Sequence, residues 1–243
     1  MSINLRAWTA ELIATYALVL FGPLSVTASI VVLGLKGPDT GAIILIGLTH
    51  GLVIALMIYS IGHISGAHIN PAVTIPMMVL KKISVSNGIG YIGFQLIGAV
   101  LAAATHAIIL PIGANVNYGQ NLPGRMPDSL GGGVFSDTTV FGVELLLTFL
   151  LVFVIFGTAV SGKSPVGWAG FAIGMTVALD HFIGVSITGA SMNPARTFGP
   201  AIISAMQGLD RAFEAHHIYW IAPILGGLIA AIVYQYVFIK NKK

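Results

Sequence analysis

SGAHINPAVT, residues 65–74, and TGASMNPART, residues 188–197, are near-copies of one polar stretch in a strongly apolar chain. Six of their ten columns match, and the copies lie 123 residues apart. Proline suits the first position of a helix and asparagine the capping position before it, so each Asn-Pro pair predicts a helix start. The sequence therefore predicts two short helices that begin at equivalent places in a duplicated chain.

The composition of the 243 residues is typical of a membrane protein. Hydrophobic residues make up 56% of the chain and charged residues only 8%, whereas a soluble domain carries about 25% charged residues. The net charge of +3 fits basic cytoplasmic loops, so no nucleic-acid partner is expected. The chain has no cysteine, which excludes disulfides and thiol chemistry.

Six apolar segments are long enough to cross a bilayer, because a helix needs about 20 apolar residues to span a hydrocarbon core of about 30 Å. They are residues 9–34, 41–62, 89–112, 139–160, 167–187 and 217–239. Two shorter apolar segments, 70–80 and 193–204, would reach only about half-way at about 1.5 Å per residue. We predict an all-α membrane protein with six transmembrane helices and two half-spanning re-entrant helices.

The two halves of the chain follow one plan. Glu11 in the first span corresponds to Glu144 in the fourth, and each half continues with a second span, an Asn-Pro segment and a third span. Since three spans is an odd number, the second half must enter from the opposite face, which makes an inverted-topology repeat. The predicted boundaries are a single domain over 1–243, a first repeat of about 1–112, a connecting loop 113–138 and a second repeat of about 139–243.

The distribution of lysine and arginine predicts the orientation in the membrane. With six spans, the larger group of basic residues falls on one side: Arg6, Lys81, Lys82, Lys163, Lys240, Lys242 and Lys243. The smaller group on the other side consists of Lys36, Arg125 and Arg211. The larger group marks the cytoplasmic side, so we expect both termini of this multi-pass protein in the cytoplasm.

Inverted halves would bring the two Asn-Pro helix starts together at the membrane midplane. The unwound approaches, 65–69 and 188–192, cannot face lipid, because non-helical backbone is tolerated there only if it is buried in protein or lines a wet cavity. Each helix start carries a partial positive charge of about half a unit. Two such charges disfavour a cation and offer amide donors to a neutral molecule with a lone pair. The sequence thus predicts a polar passage at the centre of the protein.

These motifs resemble the aquaporin family over essentially the whole chain. GHISGAHINPAV and TGASMNPARTFGPA look like its two signature loops, and AELIATY and VELLLTF are similar to its first and fourth helices. The resemblance implies a passive, water-selective channel that assembles as a homotetramer in the lipid bilayer, and we expect it in the plasma membrane. No nucleophile–base pair, metal cluster or phosphate loop is evident in the sequence, so we expect no enzyme activity, no cofactor and no metal.

The resemblance also assigns roles to particular residues. It implies that the asparagines of two pore motifs donate hydrogen bonds to passing water, and these motifs are Asn70, Pro71, Ala72, Asn193, Pro194 and Ala195. It implies an outer selectivity constriction formed by His50, His181, Ala190 and Arg196. His68 is expected to line the cytoplasmic half of the pore. Glu11 and Glu144 are expected to accept hydrogen bonds from the backbone of the kinked loops and so to hold them.

The sequence is also compatible with functions other than a water-selective channel. The paired histidines with Ala190 are compatible with a broader pore for ammonia or glycerol, although the ring lacks the apolar wall that glycerol needs. A secondary transporter also uses inverted repeats and broken helices, but it would need ion ligands or a titrating relay, and Asp180 is the only spare acid. Asp180 beside His181 raises the hypothesis of a pH-sensitive pore, against our expectation that it points towards a neighbouring helix or subunit. His106 is expected at the membrane interface, and the lysine tail at 240–243 has no assigned role.

Overall fold

The computed structural model describes residues 4–35 and 39–239, and these are almost entirely helical. Four basic residues behind the predicted orientation lie outside the described residues: Lys36, Lys240, Lys242 and Lys243. The α-helices are α1 Leu5–Thr27, α2 Thr40–Ser65, α3 Pro71–Val79, α4 Val85–Ile109, α5 Asp137–Ile155, α6 Ala169–Thr188, α7 Pro194–Met206 and α8 Ile218–Val233. One wider π-helical turn extends each of α1, α5 and α8.

The six predicted spans are confirmed as helices that are long and apolar enough to cross a membrane. They run over Leu5–Val32, Thr40–Ser65, Val85–Ile109, Asp137–Val160, Ala169–Thr188 and Ile218–Phe238. The largest differences from the predicted ends are at the starts of α1 and α4, which begin earlier because a polar residue caps each of them. Asn4 accepts a hydrogen bond from the backbone N–H of Ala7, and Ser84 accepts one from Asn87. These caps precede the apolar run that marked each span in the sequence.

The inverted repeat is centred on the crossing of α2 and α6. A Cβ added at Gly51 would lie 2.4 Å from the carbonyl oxygen of Gly174, and one added at Gly174 would lie 2.5 Å from the carbonyl oxygen of Gly51. Only glycine permits so close an approach of two helix backbones. The two halves therefore touch at equivalent residues, and they surround one central region.

The two half-spanning helices are α3 and α7, which begin at Pro71 and Pro194 as predicted. At about 1.5 Å per residue, nine residues of α3 and 13 of α7 fall well short of a full span. Both lie in the interior, where their first residues are buried. Their N-terminal ends determine what the centre of the protein can bind.

Candidate pore and its constriction

The N-terminal ends of α3 and α7 meet through two reciprocal hydrogen bonds. The side-chain nitrogen of Asn70 donates to the carbonyl oxygen of Met192 at 2.7 Å. The side-chain nitrogen of Asn193 donates to the carbonyl oxygen of Ile69 at 3.0 Å. Each half-helix is thus fastened to the loop that leads into the other, and the predicted tip-to-tip arrangement is present.

The same two asparagines cap their own helices. Oδ1 of Asn70 accepts from the backbone N–H of Ala72 at 2.8 Å. Oδ1 of Asn193 accepts from Ala195 at 3.0 Å and from Arg196 at 3.3 Å. With the oxygen committed to the cap and one N–H bonded across the junction, the second N–H of each amide is left for a ligand. The helix starts therefore present two fixed donors at the centre of the protein.

The loops before the two asparagines contain left-handed residues at equivalent positions. Ala67, Ile69, Ala190 and Met192 have φ between 49° and 60°. Left-handed backbone is uncommon for residues other than glycine, and for a β-branched residue such as Ile69 it is an outlier. Such strain persists only where the surrounding structure imposes it. Two buried carboxylates supply that constraint.

Glu11 holds the first loop. Its Oε1 accepts from the backbone N–H of His68 at 2.9 Å and from the hydroxyl of Ser65 at 2.6 Å. Its Oε2 accepts from the backbone N–H of Ile69 and from the side-chain amide of Gln95 at 2.8 Å. A fully buried carboxylate needs such partners, since removing a charge from water is otherwise costly.

Glu144 holds the second loop in the same way. Its Oε1 accepts from the hydroxyl of Thr188 at 2.7 Å and from the backbone N–H of Ser191 at 2.8 Å. Its Oε2 accepts from the backbone N–H of Met192 at 2.8 Å. The two glutamates bond the same pair of backbone positions in their respective loops, which places both as we predicted for loop-supporting residues.

A cavity of about 180 Å³ runs past the junction of the half-helices. Liquid water occupies about 30 Å³ per molecule, so the cavity has room for several water molecules. Its polar wall is formed by His50, His68, Asn70, His181, Asn193 and Arg196. The apolar wall includes Leu18, Ile54, Ile58, Val73, Leu151, Ile155, Ile173 and Val177. The cavity therefore offers a solute a few hydrogen-bonding side chains within a lining that is otherwise largely apolar.

Three of the residues expected to form the constriction, His50, His181 and Arg196, lie together in the cavity wall. The two imidazole rings stack with their centroids 4.1 Å apart and an interplanar angle of 30°. Nη2 of Arg196 lies 3.4 Å from Nε2 of His50. All three side chains are at most 3% exposed, so what they leave open is narrow and lined with nitrogen atoms.

Backbone hydrogen bonds determine which ring nitrogen of His50 and of His181 carries the proton. Nδ1 of His50 lies 2.8 Å from the carbonyl oxygen of Ile46, and Nδ1 of His181 lies 2.8 Å from that of Val177. A carbonyl only accepts, so each Nδ1 must be the donor, and Nε2 of a neutral ring is then an acceptor. Nε2 of His181 is buried and has no partner among the described residues. It is therefore available to accept a hydrogen bond from a molecule in the cavity.

Ala190 and Asp180 are placed differently from the three constriction residues. Ala190 was expected in the constriction, and its side chain packs in the hydrophobic core. Its left-handed backbone turns the methyl group towards α6, where a Cβ added at Gly184 would lie 3.2 Å from it. Asp180 is 1% exposed and lies outside the cavity wall. His68 lines the cavity, and its Nδ1 is 3.2 Å from the hydroxyl oxygen of Thr74.

Sequence reasoning missed two buried polar residues around the site. Gln95 of α4 bonds Glu11, and Asn121 of the connecting loop bonds Arg196. His106 was expected at the interface and is instead fully buried, with Nε2 at 3.0 Å from the hydroxyl of Thr27 in α1. The only signal for these residues was a polar side chain in an apolar or loop segment, which does not identify a partner.

The connecting loop is seated on the segment between α7 and α8. Nη2 of Arg211 donates to the carbonyl oxygen of Pro123 at 3.0 Å, and Asn117 donates to that of Asp210 at 2.6 Å. The guanidinium of Arg211 also bonds the carboxylate of Glu214, which lowers the pKa of Glu214 from its ordinary value. Arg211 thus bonds both its own segment, through Glu214, and the connecting loop, through Pro123.

Comparison with known proteins agrees with this geometry. The sequence profile named Major intrinsic protein matches residues 1–234. The chain belongs to the major intrinsic protein family. Among its relatives in the family, Aquaporin-4 of Rattus norvegicus is 41% identical over 244 residues, which cover 96% of this chain and 67% of the relative. Aquaporin-5 of Homo sapiens is 37% identical over 243 residues, which cover 98% of this chain and 82% of the relative.

A solved member of similar shape supports the fold. The aquaglyceroporin from Plasmodium falciparum superposes with a TM-score of 0.81, over 96% of each chain, at 23% sequence identity. At that identity the likeness concerns the fold alone. Membership of the family, together with the six apolar helices, makes this chain an integral, multi-pass membrane protein.

Proposed function

We propose that the protein is a passive water channel with a single-file pore. The observation that carries the proposal is the cavity that passes between Asn70 and Asn193 and ends at His50, His181 and Arg196. Water can accept from the free asparagine N–H groups and donate to Nε2 of His181. The apolar part of the lining leaves a permeating molecule few other partners, which keeps it mobile. The similarity to Aquaporin-4 and Aquaporin-5 supports the same function.

The constriction accounts for the exclusion of ions and protons in this proposal. Arg196 is a fixed positive charge at the narrowest point, and the two α-helix N-termini add partial positive charge at the junction. Among the described residues that line the cavity, none is a carboxylate that would offset these charges for a cation. The two asparagine donors turn a water molecule at the junction so that it donates away from both, which interrupts a proton-conducting chain. Both pore motifs, including Pro71, Ala72, Pro194 and Ala195, serve to place these donors.

A broader permeant range is the second candidate. The unpartnered Nε2 of His181 could accept from ammonia as it does from water, so an ammonia-conducting pore has a specific observation in its favour. Glycerol is less favoured, because the three nitrogen-rich side chains narrow the constriction and offer no apolar surface to its carbon chain. We further propose a homotetramer without enzyme activity, located in the plasma membrane with both termini in the cytoplasm.

The experiment is a set of permeability measurements on the purified protein in liposomes. Stopped-flow shrinkage in a sorbitol gradient measures water, swelling in glycerol measures glycerol, and internal alkalinisation after an ammonium pulse measures ammonia. We expect fast water flow and glycerol flow close to that of empty liposomes. Water flow no faster than in empty liposomes would refute the proposal, and fast ammonia flow would establish the second candidate.

A further inference from the structure

One contact is repeated in both halves beside the pore motifs. In the first half, Nδ1 of His68 lies 3.2 Å from the hydroxyl oxygen of Thr74. In the second half, the hydroxyl oxygens of Ser191 and Thr197 lie 2.5 Å apart. Each pair spans six residues, and the two pairs are 123 residues apart, as are the two asparagines. Thr74 and Thr197 are therefore equivalent residues in the first turn of α3 and α7.

In the first half an amide from the following span completes this contact. Nε2 of Gln95 in α4 donates to the hydroxyl oxygen of Thr74 at 3.1 Å and to Oε2 of Glu11 at 2.8 Å. One turn earlier in α4, the hydroxyl of Tyr91 donates to the carbonyl oxygen of Ser65 at 2.8 Å. The tyrosine and the glutamine thus hold the first loop and the first half-helix from the same face of α4.

The second half has a matching tyrosine contact but no matching side-chain amide. The hydroxyl of Tyr219 in α8 donates to the carbonyl oxygen of Thr188 at 2.7 Å, and Thr188 is the equivalent of Ser65. The residue four positions after Tyr219 is Pro223, which has no side-chain amide. The repeat is therefore broken at the residue that should bond Thr197, next to the arginine of the constriction.

Asn121 of the connecting loop occupies the missing position. Its Oδ1 accepts from the hydroxyl of Thr197 at 2.8 Å and from Nη1 of Arg196 at 2.7 Å. Its Nδ2 donates to the carbonyl oxygen of Gly189 at 2.8 Å. The side chain is 1% exposed, so these bonds are sheltered from water. A single amide thus joins the guanidinium, the first turn of α7 and the loop that leads into it.

We infer that Asn121 is a positioning residue that sets the selectivity of the constriction by holding Arg196 in place. This inference rests on the proposed function. Among the described residues the guanidinium has two other contacts: Nη1 also donates to the carbonyl oxygen of Gly119 at 2.6 Å, and Nη2 lies at the longer distance of 3.4 Å from Nε2 of His50. Nε of Arg196 is buried without a partner among the described residues. Without Asn121 the guanidinium can turn about the Gly119 contact, and the gap between it and the histidines is no longer fixed.

The test compares glycerol with water permeability in liposomes for matched variants. In Asn121→Ala we expect the glycerol-to-water permeability ratio to rise about tenfold, which corresponds to about 1.4 kcal/mol in the barrier. Gln120→Ala is the control, because Gln120 precedes Asn121 and its side chain bonds the carbonyl oxygen of Arg211 instead. Arg196→Val should raise the ratio by itself. Adding Asn121→Ala to Arg196→Val should raise it no further, since the two residues act through one contact.

Asn121→Asp provides an independent test if the alanine variant does not assemble. Aspartate keeps an oxygen for Arg196 and Thr197 and adds a negative charge that attracts the guanidinium, although it loses the donor to Gly189 and places an oxygen against that carbonyl, so glycerol should stay excluded. An unchanged ratio in Asn121→Ala, an additive double variant, or glycerol flow in Asn121→Asp equal to that of Arg196→Val would overturn the inference. In each of these cases wild-type water flow remains, whereas failure of the proposed function would abolish it.

Discussion

The imidazole rings of His50 and His181 stack at 4.1 Å, although their helices belong to opposite halves of an inverted repeat. They are not repeat equivalents, because residues 123 positions away from them are Ile173 and Ile58. Both isoleucines also line the cavity. The same positions in the two halves thus build a polar constriction at one end and an apolar wall at the other.

Shortening His181 should widen the constriction. In His181→Ala the stacked ring and its Nε2 acceptor are lost, so we expect glycerol permeability to rise about tenfold or more, the effect of removing about 1.4 kcal/mol from a barrier. Stopped-flow swelling of liposomes in glycerol measures this. His217→Ala is the control, since His217 is exposed between α7 and α8. Equal glycerol flow in wild type and His181→Ala would mean that the narrow point lies elsewhere.

Replacing Glu144 by glutamine should destabilise the second loop. Glutamine has one acceptor oxygen where the carboxylate has two, so the backbone N–H of Ser191 or Met192 would face an NH₂ group. A buried donor without a partner costs about 1–3 kcal/mol, and we expect a lower unfolding temperature in detergent. Glu214→Gln serves as a comparison at a site about a third exposed, where loss of the ion pair with Arg211 should cost about 0.2–1 kcal/mol. A melting temperature equal to that of wild type would show that Glu144 does not support the loop.

The hypothesis of a pH-sensitive pore can be tested at Asp180. Its carboxyl group is buried away from the cavity wall, so we expect Asp180→Asn to leave the pH profile of water permeability unchanged between about pH 5 and 8, the range over which histidine titrates. Permeability of liposomes is measured across that range for both proteins. A pH-dependent flow in wild type that the substitution removes would instead establish gating through Asp180.

The ion pair between Arg211 and Glu214, in the segment between α7 and α8, makes the free energy of unfolding depend on pH. Because Arg211 lowers the pKa of Glu214 in the folded protein, the pair contributes stability above the unfolded pKa of the carboxyl, and this is lost as pH falls through the folded pKa. Both side chains are about a third exposed, so we expect a contribution of about 0.2–1 kcal/mol.

This contribution is measured by thermal unfolding in detergent at neutral pH and at about pH 3.5, which is below the ordinary glutamate pKa of about 4.3. The unfolding temperature of wild type should fall between neutral and acid pH, and it should fall less in Glu214→Gln. Gln207→Ala, in the same segment, should keep the full pH dependence. If the glutamate variant shows the same loss as wild type, the pair does not contribute.

The sequence predicts what depends on local chemistry. The helix starts at Asn70 and Asn193 follow from capping and proline geometry, and the spans follow from apolar length. The constriction at His50 and His181 came from the family resemblance, because residues far apart in sequence meet there. No local rule places Asn121 on Arg196, since that contact depends on the path of a long, irregular loop.

Two further differences have the same origin. The left-handed backbone of Ala190 points its methyl group into the core, which its spacing from Asn193 does not reveal. The expectation for His106 failed because hydropathy does not tell which face of α4 packs against α1. On that face His106 lies within hydrogen-bond distance of the hydroxyl of Thr27. In both cases the direction of a side chain, rather than the location of its helix, decided the outcome.

The reciprocal bonds of Asn70 and Asn193 have a consequence for ancestry. Each half supplies one donor and one carbonyl of the junction, and the halves cross at Gly51 and Gly174 as equals. A half-length precursor could form this passage only by pairing with a copy of itself inserted upside down. Joining the two halves in one chain allows their equivalent positions to differ, as Arg196 differs from its counterpart Val73.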